Sequence, residues 1–401
     1  MRWRRPFRQI ILAATVCCSL LLFVRLYYIT GHYDLPAALD DLTITTTIPQ
    51  SIGDQILGDD AIRFVDSVPN TTDAKHAGKP KVIVTWNAGH AQEHLNGCPD
   101  WNCVLVSDHS RVGEADAILL STSDGSLPPR RSHQYYVHFN QESPAHHTPN
   151  VPYPNYFNMS LGYRRDAALP SPYGYAIKLN NPLSPAEAQL SDEQLKAKTK
   201  PIAWFVSNCA PPSKRQEYVA ELSKHIAVDK FGACGEKACP RGRECEVTLS
   251  KQYRFYLALE NSICKDYITE KFWNQGYLDV VPIVLKRSIV EKYAPPGSFL
   301  ALDDFKSPKH LAAHLNALMT NDSAYRAYFN WRTDYKIVFL NGQNHDYKER
   351  PWGFCRLCQL LWQQPRPQLV INDFNKWWSQ DAQCDQGDFV TKLLEKKSDQ
   401  S

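Results

Sequence analysis

The sequence predicts an α/β protein of two parallel-sheet units facing a cleft, preceded by a single amino-terminal transmembrane helix and a stem. Three observations carry this prediction. Short apolar runs bounded by turn residues alternate with helical patterns through residues 81–345. The 401 residues suffice for roughly two or three domains. An arginine-flanked apolar stretch opens the chain. Hydrophobic residues at 43% and charged residues at 22% exclude a disordered chain, a collagen and a polytopic membrane protein. A net charge of +3 gives no electrostatic case for nucleic acid.

Arg2, Arg4, Arg5 and Arg8 precede an apolar stretch, and residues 10–29 reach the length of a span if Arg25 snorkels to the headgroups. A cleaved signal peptide would need a small-residue A-x-A site, and Arg25-Leu26-Tyr27-Tyr28 is unlike one. An uncleaved signal anchor is therefore expected, with everything after it lumenal. Cys17 and Cys18 lie in the span, leaving ten of the 12 cysteines for the body, an even number that suits disulfides in an oxidising lumen. Glycosylation sequons at Asn70, Asn158 and Asn321 fit that compartment. Residues 31–79 lack periodicity and read as a stem, so a fragment starting near Lys79 is expected to be soluble and active.

The body opens with the strand pattern of residues 81–86, followed by strands at 104–106, 117–120 and 135–139. Their short, apolar form suits a sheet covered on both faces. Residues 141–185 are dense in proline and tyrosine and read as irregular, and polar residues 191–200 as a linker. A second unit starts with a strand at 202–208. A capping-box spacing from Ser213 to Gln216 predicts a helix over 214–225 with Tyr218, Leu222 and Ile226 inward. Residues 226–228 begin another strand, a helix begins near Asp266, and 280–285 form a strand in which Pro282 restricts pairing. Ser307-Pro308 caps a last helix with Leu311, Leu315 and Leu318 inward.

Three segments could carry chemistry. A helix from Asp266 would place Tyr267, Glu270, Lys271 and Asn274 on one polar face, either near a phosphate-binding helix start or as a solvated surface. Lys214 and Arg215 open a helix, where cations oppose the dipole; an anionic visitor would offset that cost, and ordinary solvation is the alternative. Glu142 follows a strand's carboxyl end in a loop stiffened by Pro144, placed as a general base or as a loop carboxylate bound to backbone. His133, His146 and His147 show no metal-ligand spacing, and there is no Walker loop, G-x-G-x-x-G or Asp-x-Asp. Cys98-x4-Cys103 with Cys355-x2-Cys358 suits a four-thiolate zinc site or, as an oxidising lumen favours, two disulfides.

Together these segments resemble the α1,3-fucosyltransferase family of inverting glycosyltransferases, from about Lys81 to Cys358. The most specific stretch runs from Tyr253-Arg254-Phe255-Tyr256 through Glu260-Asn261-Ser262 to Asp266-Tyr267-Ile268-Thr269-Glu270-Lys271. The Gln141 to Pro144 segment, Leu161-Gly162-Tyr163-Arg164-Arg165-Asp166 and Pro172-Tyr173-Gly174 resemble the acceptor-side half. Asn208-Cys209, Cys234-Gly235, Cys239 and Cys264 look like invertebrate and plant members acting on N-glycan cores. Trp86-Asn87-Ala88-Gly89 and the Cys98 to Cys103 stretch look nematode-like.

The resemblance implies a GT-B architecture of two Rossmann-like domains and GDP-β-L-fucose as donor. It implies Glu142 as general base, Arg215 and Lys271 as diphosphate neutralisers, and Glu270 as a ribose contact. Tyr267, Asn261, Asn208 and Arg254 are implied as further donor-side positions, with no metal site. It also implies disulfides Cys98–Cys355 and Cys103–Cys358. The pairing of Cys209, Cys234, Cys239, Cys245, Cys264 and Cys384 stays open among 15 possibilities.

The expected organisation is a cytosolic tail (1–9), anchor (10–29), stem (30–80), amino-terminal acceptor-side domain (81–195), GDP-fucose domain (200–345), a segment returning to the amino-terminal domain (346–384) and a polar tail (385–401). The expected activity is α1,3-fucosylation of GlcNAc in the N-glycan core. The alternatives are GlcNAc of LacNAc- or LacdiNAc-type antennae, a non-catalytic carbohydrate-binding ectodomain, and a metal-dependent transferase using another nucleotide sugar. No cofactor is strictly required, and Mn2+ or Mg2+ would at most stimulate. The partners are GDP-fucose, an N-glycan or glycoprotein acceptor and the Golgi membrane, with no nucleic acid.

Overall fold

The computed structural model describes residues 55–58, 78–90, 92–95, 102–121, 127–146, 151–237, 243–276, 278–340 and 352–395. The expected span at 10–29, Asn70, Cys98 and Cys239 lie outside them, and no helix of the described residues is long and apolar enough to cross a membrane.

Two parallel sheets form the body. The first has six strands in the order Cys103–Val106, Lys81–Thr85, Ala117–Leu120, Tyr135–Asn140, Met159–Gly162 and Leu169–Pro170. The second has five: Val228–Phe231, Lys200–Phe205, Tyr253–Leu257, Val281–Val284 and Leu300–Ala301. Each sheet carries an apolar cluster on both faces, which is why its central strands read as unbroken apolar runs. Pro282 sits inside a central strand. The Ile283 carbonyl accepts from Ala258 N–H on one side (2.9 Å), while pairing to Leu300–Ala301 starts only at Ile283, so the missing N–H falls where no ladder bond is required.

The helix Pro308–Thr320 follows the sequence reading, with Ser307 as cap and Leu311, Leu315 and Leu318 buried. The helix Arg215–Leu222 starts differently from the expected capping box. Its cap position is Lys214 at φ 53°, and the buried Ser213 hydroxyl donates to the Glu260 carbonyl instead (2.8 Å). The region 141–185 is not irregular: it supplies the strands Met159–Gly162, Leu169–Pro170 and Gly174–Lys178. The expected linker at 191–200 holds a helix, Asp192–Ala197, closed by a capping box between Ser191 and Gln194.

The polar tail likewise contains a helix, Asp388–Glu395, whose Val390 and Leu393 pack into the cluster of Tyr218 and Leu222. The helix Gly353–Trp362 packs against the first sheet and is joined to it by the disulfide Cys103–Cys358.

A third, antiparallel sheet joins distant segments, in the order Gln55–Ile56, Gly174–Lys178 and Tyr335–Phe339. Part of the expected stem is therefore built into the body. Ile56 is fully buried, and Gly58 (φ 78°) lies so close to Tyr293 that a Cβ there would meet its ring at 2.5 Å. Losing a buried isoleucine costs about 2–5 kcal/mol. A fragment starting at Lys79 should thus melt about 4 °C or more below one starting at residue 52. Equal melting temperatures would place this strand outside the cooperative fold.

Candidate active site

The carboxyl ends of the two parallel sheets meet through their loops. The Ser143 and Ser262 hydroxyls, one from each side, lie 2.5 Å apart and buried. Arg165 N–H donates to the Asp266 carboxylate across the same junction (3.1 Å). Parallel sheets place ligands at such strand ends.

Glu142 projects from this junction. The Asn140 side-chain oxygen accepts from Glu142 N–H (2.9 Å), fixing the turn after strand Tyr135–Asn140. The Gln141 amide donates to the Ser171 carbonyl (2.9 Å), and the Gln141 carbonyl accepts from the Tyr173 hydroxyl (3.1 Å). With both neighbours held, the exposed Glu142 carboxylate accepts one side-chain bond, from the Tyr267 hydroxyl at 2.8 Å. Burial, with Glu260 and Glu142 nearby, holds the Tyr267 pKa far above that of a free phenol. Tyr267 is therefore a permanent donor to Glu142. Burial with Glu270 and Glu142 raises Tyr173 in the same direction.

The helix expected from Asp266 begins later, at Glu270, and ends at Trp273. Asp266 has φ 61°, a left-handed conformation that breaks a helix there, and its carboxylate accepts from Arg165 N–H and the Tyr293 hydroxyl (2.8 Å). The single polar face of Tyr267, Glu270, Lys271 and Asn274 therefore does not exist as a helix face, although Tyr267 and Lys271 do converge on one carboxylate cluster.

That cluster is centred on Glu260, a residue the sequence reading quoted without a role. Its buried carboxylate accepts from Thr269 N–H (2.7 Å) and the Thr269 hydroxyl (2.9 Å), and pairs with Lys271 Nζ (3.3 Å). Lys271 Nζ also donates to Glu270 (2.9 Å) and the Thr269 hydroxyl (2.9 Å). Burial raises the Glu260 pKa, with Glu270 adding and Lys271 opposing. Burial works against the Lys271 charge, but Glu260 and Glu270 outweigh it and leave the Lys271 pKa raised. The signal available in sequence was an ionisable residue closing the apolar run Leu257-Ala258-Leu259.

Arg215 is not a surface cation. It is 1% exposed, donates to the Leu259 carbonyl and to the Asn208 carbonyl (3.2 Å), and lies over the Trp204 ring. Burial lowers its pKa, with Glu260 opposing. Lys214 donates to the Thr391 hydroxyl (3.0 Å), while the buried Arg215 Nε has no hydrogen-bond partner among the described residues. Asn208 holds Arg215 and Gln216 through its carbonyl, and the buried Asn261 side-chain oxygen has no hydrogen-bond partner among the described residues.

The structure does not bring Arg254 to this cluster. It sits at the amino end of its strand, bound to the Leu318 carbonyl (2.9 Å) and Asp322 (2.6 Å) and stacked on Tyr325.

The disulfides Cys209–Cys234 and Cys264–Cys384 tie down two site loops. Cys355 is disulfide-bonded and Cys103 pairs with Cys358, which removes the zinc alternative. Among the sequons, Asn321 is exposed. The Asn158 amide is buried, accepting from Tyr136 N–H (2.7 Å) and donating to the Leu369 carbonyl (2.7 Å).

Two family models match the chain: fucosyltransferase, N-terminal, over residues 78–174, and glycosyltransferase family 10 (fucosyltransferase) C-term, over residues 195–377. The chain is 47% identical over 311 residues to alpha-(1,3)-fucosyltransferase fut-1 of Caenorhabditis elegans, covering 77% of this chain and 71% of that protein. It is 34% identical to glycoprotein 3-alpha-L-fucosyltransferase A of Drosophila melanogaster, covering 79% and 63%. It is 36% identical to the human 4-galactosyl-N-acetylglucosaminide 3-alpha-L-fucosyltransferase FUT5, covering 69% and 72%. A crystal structure of an alpha1,3-fucosyltransferase with GDP aligns with a TM-score of 0.48 at 18% identity, covering 75% of this chain and 95% of that one.

Proposed function

Because the chain belongs to glycosyltransferase family 10, the fucosyltransferases, we propose that it transfers L-fucose from GDP-β-L-fucose in α1,3 linkage to GlcNAc of the N-glycan core. The observation that carries the mechanism is Glu142, an exposed carboxylate at the junction of two parallel sheets, oriented by a buried phenol at 2.8 Å. The two-sheet arrangement suits a GT-B transferase, with the donor against the second sheet and the acceptor against the first.

The chemistry follows from the residue types. As the bond from fucose to phosphate loosens, negative charge grows on GDP, and fixed positive charge stabilises it. Lys271 supplies a charge near the Glu270 helix start, and the buried Arg215 adds a second from beneath the loops. Glu270, 44% exposed at its side chain, is free enough to leave Lys271 for the ribose hydroxyls. Glu142 takes the proton of the acceptor hydroxyl as that oxygen attacks the face opposite the diphosphate, and one displacement inverts β to α. The diphosphate leaves without a general acid, so one carboxylate suffices, unlike the pair in hydrolases. The transfer requires no metal, and Mn2+ or Mg2+ at most accelerates it. Residues 10–29 anchor the body in the Golgi membrane, facing the lumen.

The test is incubation of the full chain with GDP-fucose, with and without EDTA, and a panel of defined N-glycans, followed by linkage analysis. Fucose α1,3-linked to a core GlcNAc is expected. Product on antenna GlcNAc alone would replace the core acceptor, and turnover of UDP-sugars without GDP-fucose turnover would overturn the donor.

A further inference from the structure

A cavity of about 410 Å³ is lined by none of the residues assigned chemistry above. That volume is within the range of small-ligand pockets. Its wall includes Asp166, Asn372, Asp373, Lys376, Trp377 and Asp381. We propose that this groove is a subsite for the sugar residues of the acceptor glycan beyond the GlcNAc that receives fucose; the proposal rests on the fucosyl-transfer reading above.

Position is the first argument. The Asp166 carboxylate accepts from Lys265 Nζ (2.8 Å), and the neighbouring Arg165 N–H bonds Asp266, the residue before Tyr267. Tyr163 packs edge-on against Tyr267, with ring centroids 4.9 Å apart. The Asp166 wall of the groove is thus tied, through Lys265 and Asp266, to the loop that carries Tyr267.

Chemistry is the second. The partly exposed Trp377 is backed by the buried Arg164 guanidinium, 4.4 Å from its ring centroid, and is thereby fixed in the groove wall. An aromatic surface suits the apolar face of a pyranose, and nearby carboxylates and amides suit its hydroxyl edge. The side chains of Asn372 and Asp381 and the Lys376 ammonium have no partner among the described residues, although all three line the groove. With Asp166 already paired to Arg164 and Lys265, Asp373 and Asp381 against Lys376 leave the groove without the excess positive charge an anion needs. Among the described residues no group of three His, Cys, Asp or Glu side chains could hold a metal ion, which disfavours a cation site.

The experiment measures transfer by the full chain to three acceptors: a GlcNAc-containing disaccharide, a branched N-glycan, and the same glycan on a peptide. Asp381→Ala and Lys376→Ala remove side chains that bond no other described residue; Trp377→Leu removes the aromatic wall. Each should raise KM for the branched glycan roughly three- to ten-fold. Its kcat, and both constants for the disaccharide, should stay unchanged. Saturation-transfer NMR of the branched glycan without donor should lose intensity in the same variants.

Equal KM values for wild type and the Asp381→Ala and Lys376→Ala variants, or a change confined to the glycopeptide, would overturn the proposal. A wild-type chain that transfers fucose to none of the acceptors would instead defeat the fucosyl reading. The donor-free NMR measurement would still decide the groove.

Discussion

Glu142→Gln should lower turnover by about 10²-fold or more while leaving the fold and the affinity for donor intact. The substitution keeps shape and an acceptor oxygen for the Tyr267 hydroxyl, and Glu142 is exposed, so no core packing is lost. What disappears is the ability to take a proton. The described side chains packed around it do not replace it. Tyr267 is a phenol whose pKa burial and adjacent carboxylates hold far above the working range, and the same is true of Tyr173. Glu260 is spent on Thr269 and Lys271. The check is steady-state kinetics with GDP-fucose and a saturating acceptor, beside a melting curve. A near-normal kcat would remove Glu142 as the base; a loss of kcat together with a lower melting temperature would assign it a structural role.

Lys271→Ala should lower kcat/KM for GDP-fucose roughly 10- to 100-fold, the worth of a charge-assisted contact to the leaving diphosphate. It should also destabilise the protein, because it leaves the buried Glu260 carboxylate without its cation. Removing one partner of a buried pair costs about 3–5 kcal/mol. The pH dependence follows from the shifts. The folded pKa of Glu260 already lies above its ordinary value of 4.5, and loss of Lys271 raises it further. Between the unfolded and folded values the native state binds the extra proton, so stability falls as pH rises through that window. The variant's deficit should therefore be smaller at pH 5 than at pH 8. Lys271 in the wild type has a raised pKa, so its contribution is fully present below its ordinary 10.5 and is lost only above it. Thermal melts of both proteins at the two pH values test this. A deficit independent of pH would mean that Glu260 is not the group left unpaired.

The parts of the fold legible in sequence were those set by local pattern. Runs such as Lys81–Thr85 and Ala117–Leu120 are apolar because both sheet faces are covered, and Ser307-Pro308 announces its helix by the capping and N1 preferences of those residue types. The small antiparallel sheet was not legible. It pairs Ile56, Ile177 and Lys336, residues far apart in the chain, and its strand Gln55–Ile56 is too short to show any period. The helix Asp388–Glu395 was hidden by a charged composition, although Val390, Leu393 and Leu394 have helical spacing.

The site divides along the same line. The place of Glu142 after a strand end in a stiff loop was legible, as was the polar grouping of Tyr267, Glu270 and Lys271, while their roles came from the resemblance. The late helix start was not legible, because Asp266 takes its left-handed conformation in a setting of tertiary contacts to Arg165 and Tyr293. Arg215 read as either an anion contact or a solvated cation, and Arg254 as a donor-side position by resemblance. Only the three-dimensional structure reveals that each is folded inward onto backbone carbonyls. Glu260 escaped for the complementary reason: its role is to hold Thr269 and Lys271, and a residue that acts through others carries no motif of its own.

The most direct measurement is a structure of the chain bound to GDP-fucose and an N-glycan acceptor. The account predicts the diphosphate beside Lys271 at the Glu270 helix start, and a Glu142 oxygen within about 2.6–3.2 Å of the GlcNAc hydroxyl that attacks the anomeric carbon. A diphosphate lodged away from Lys271, or an acceptor hydroxyl facing some group other than Glu142, would contradict it.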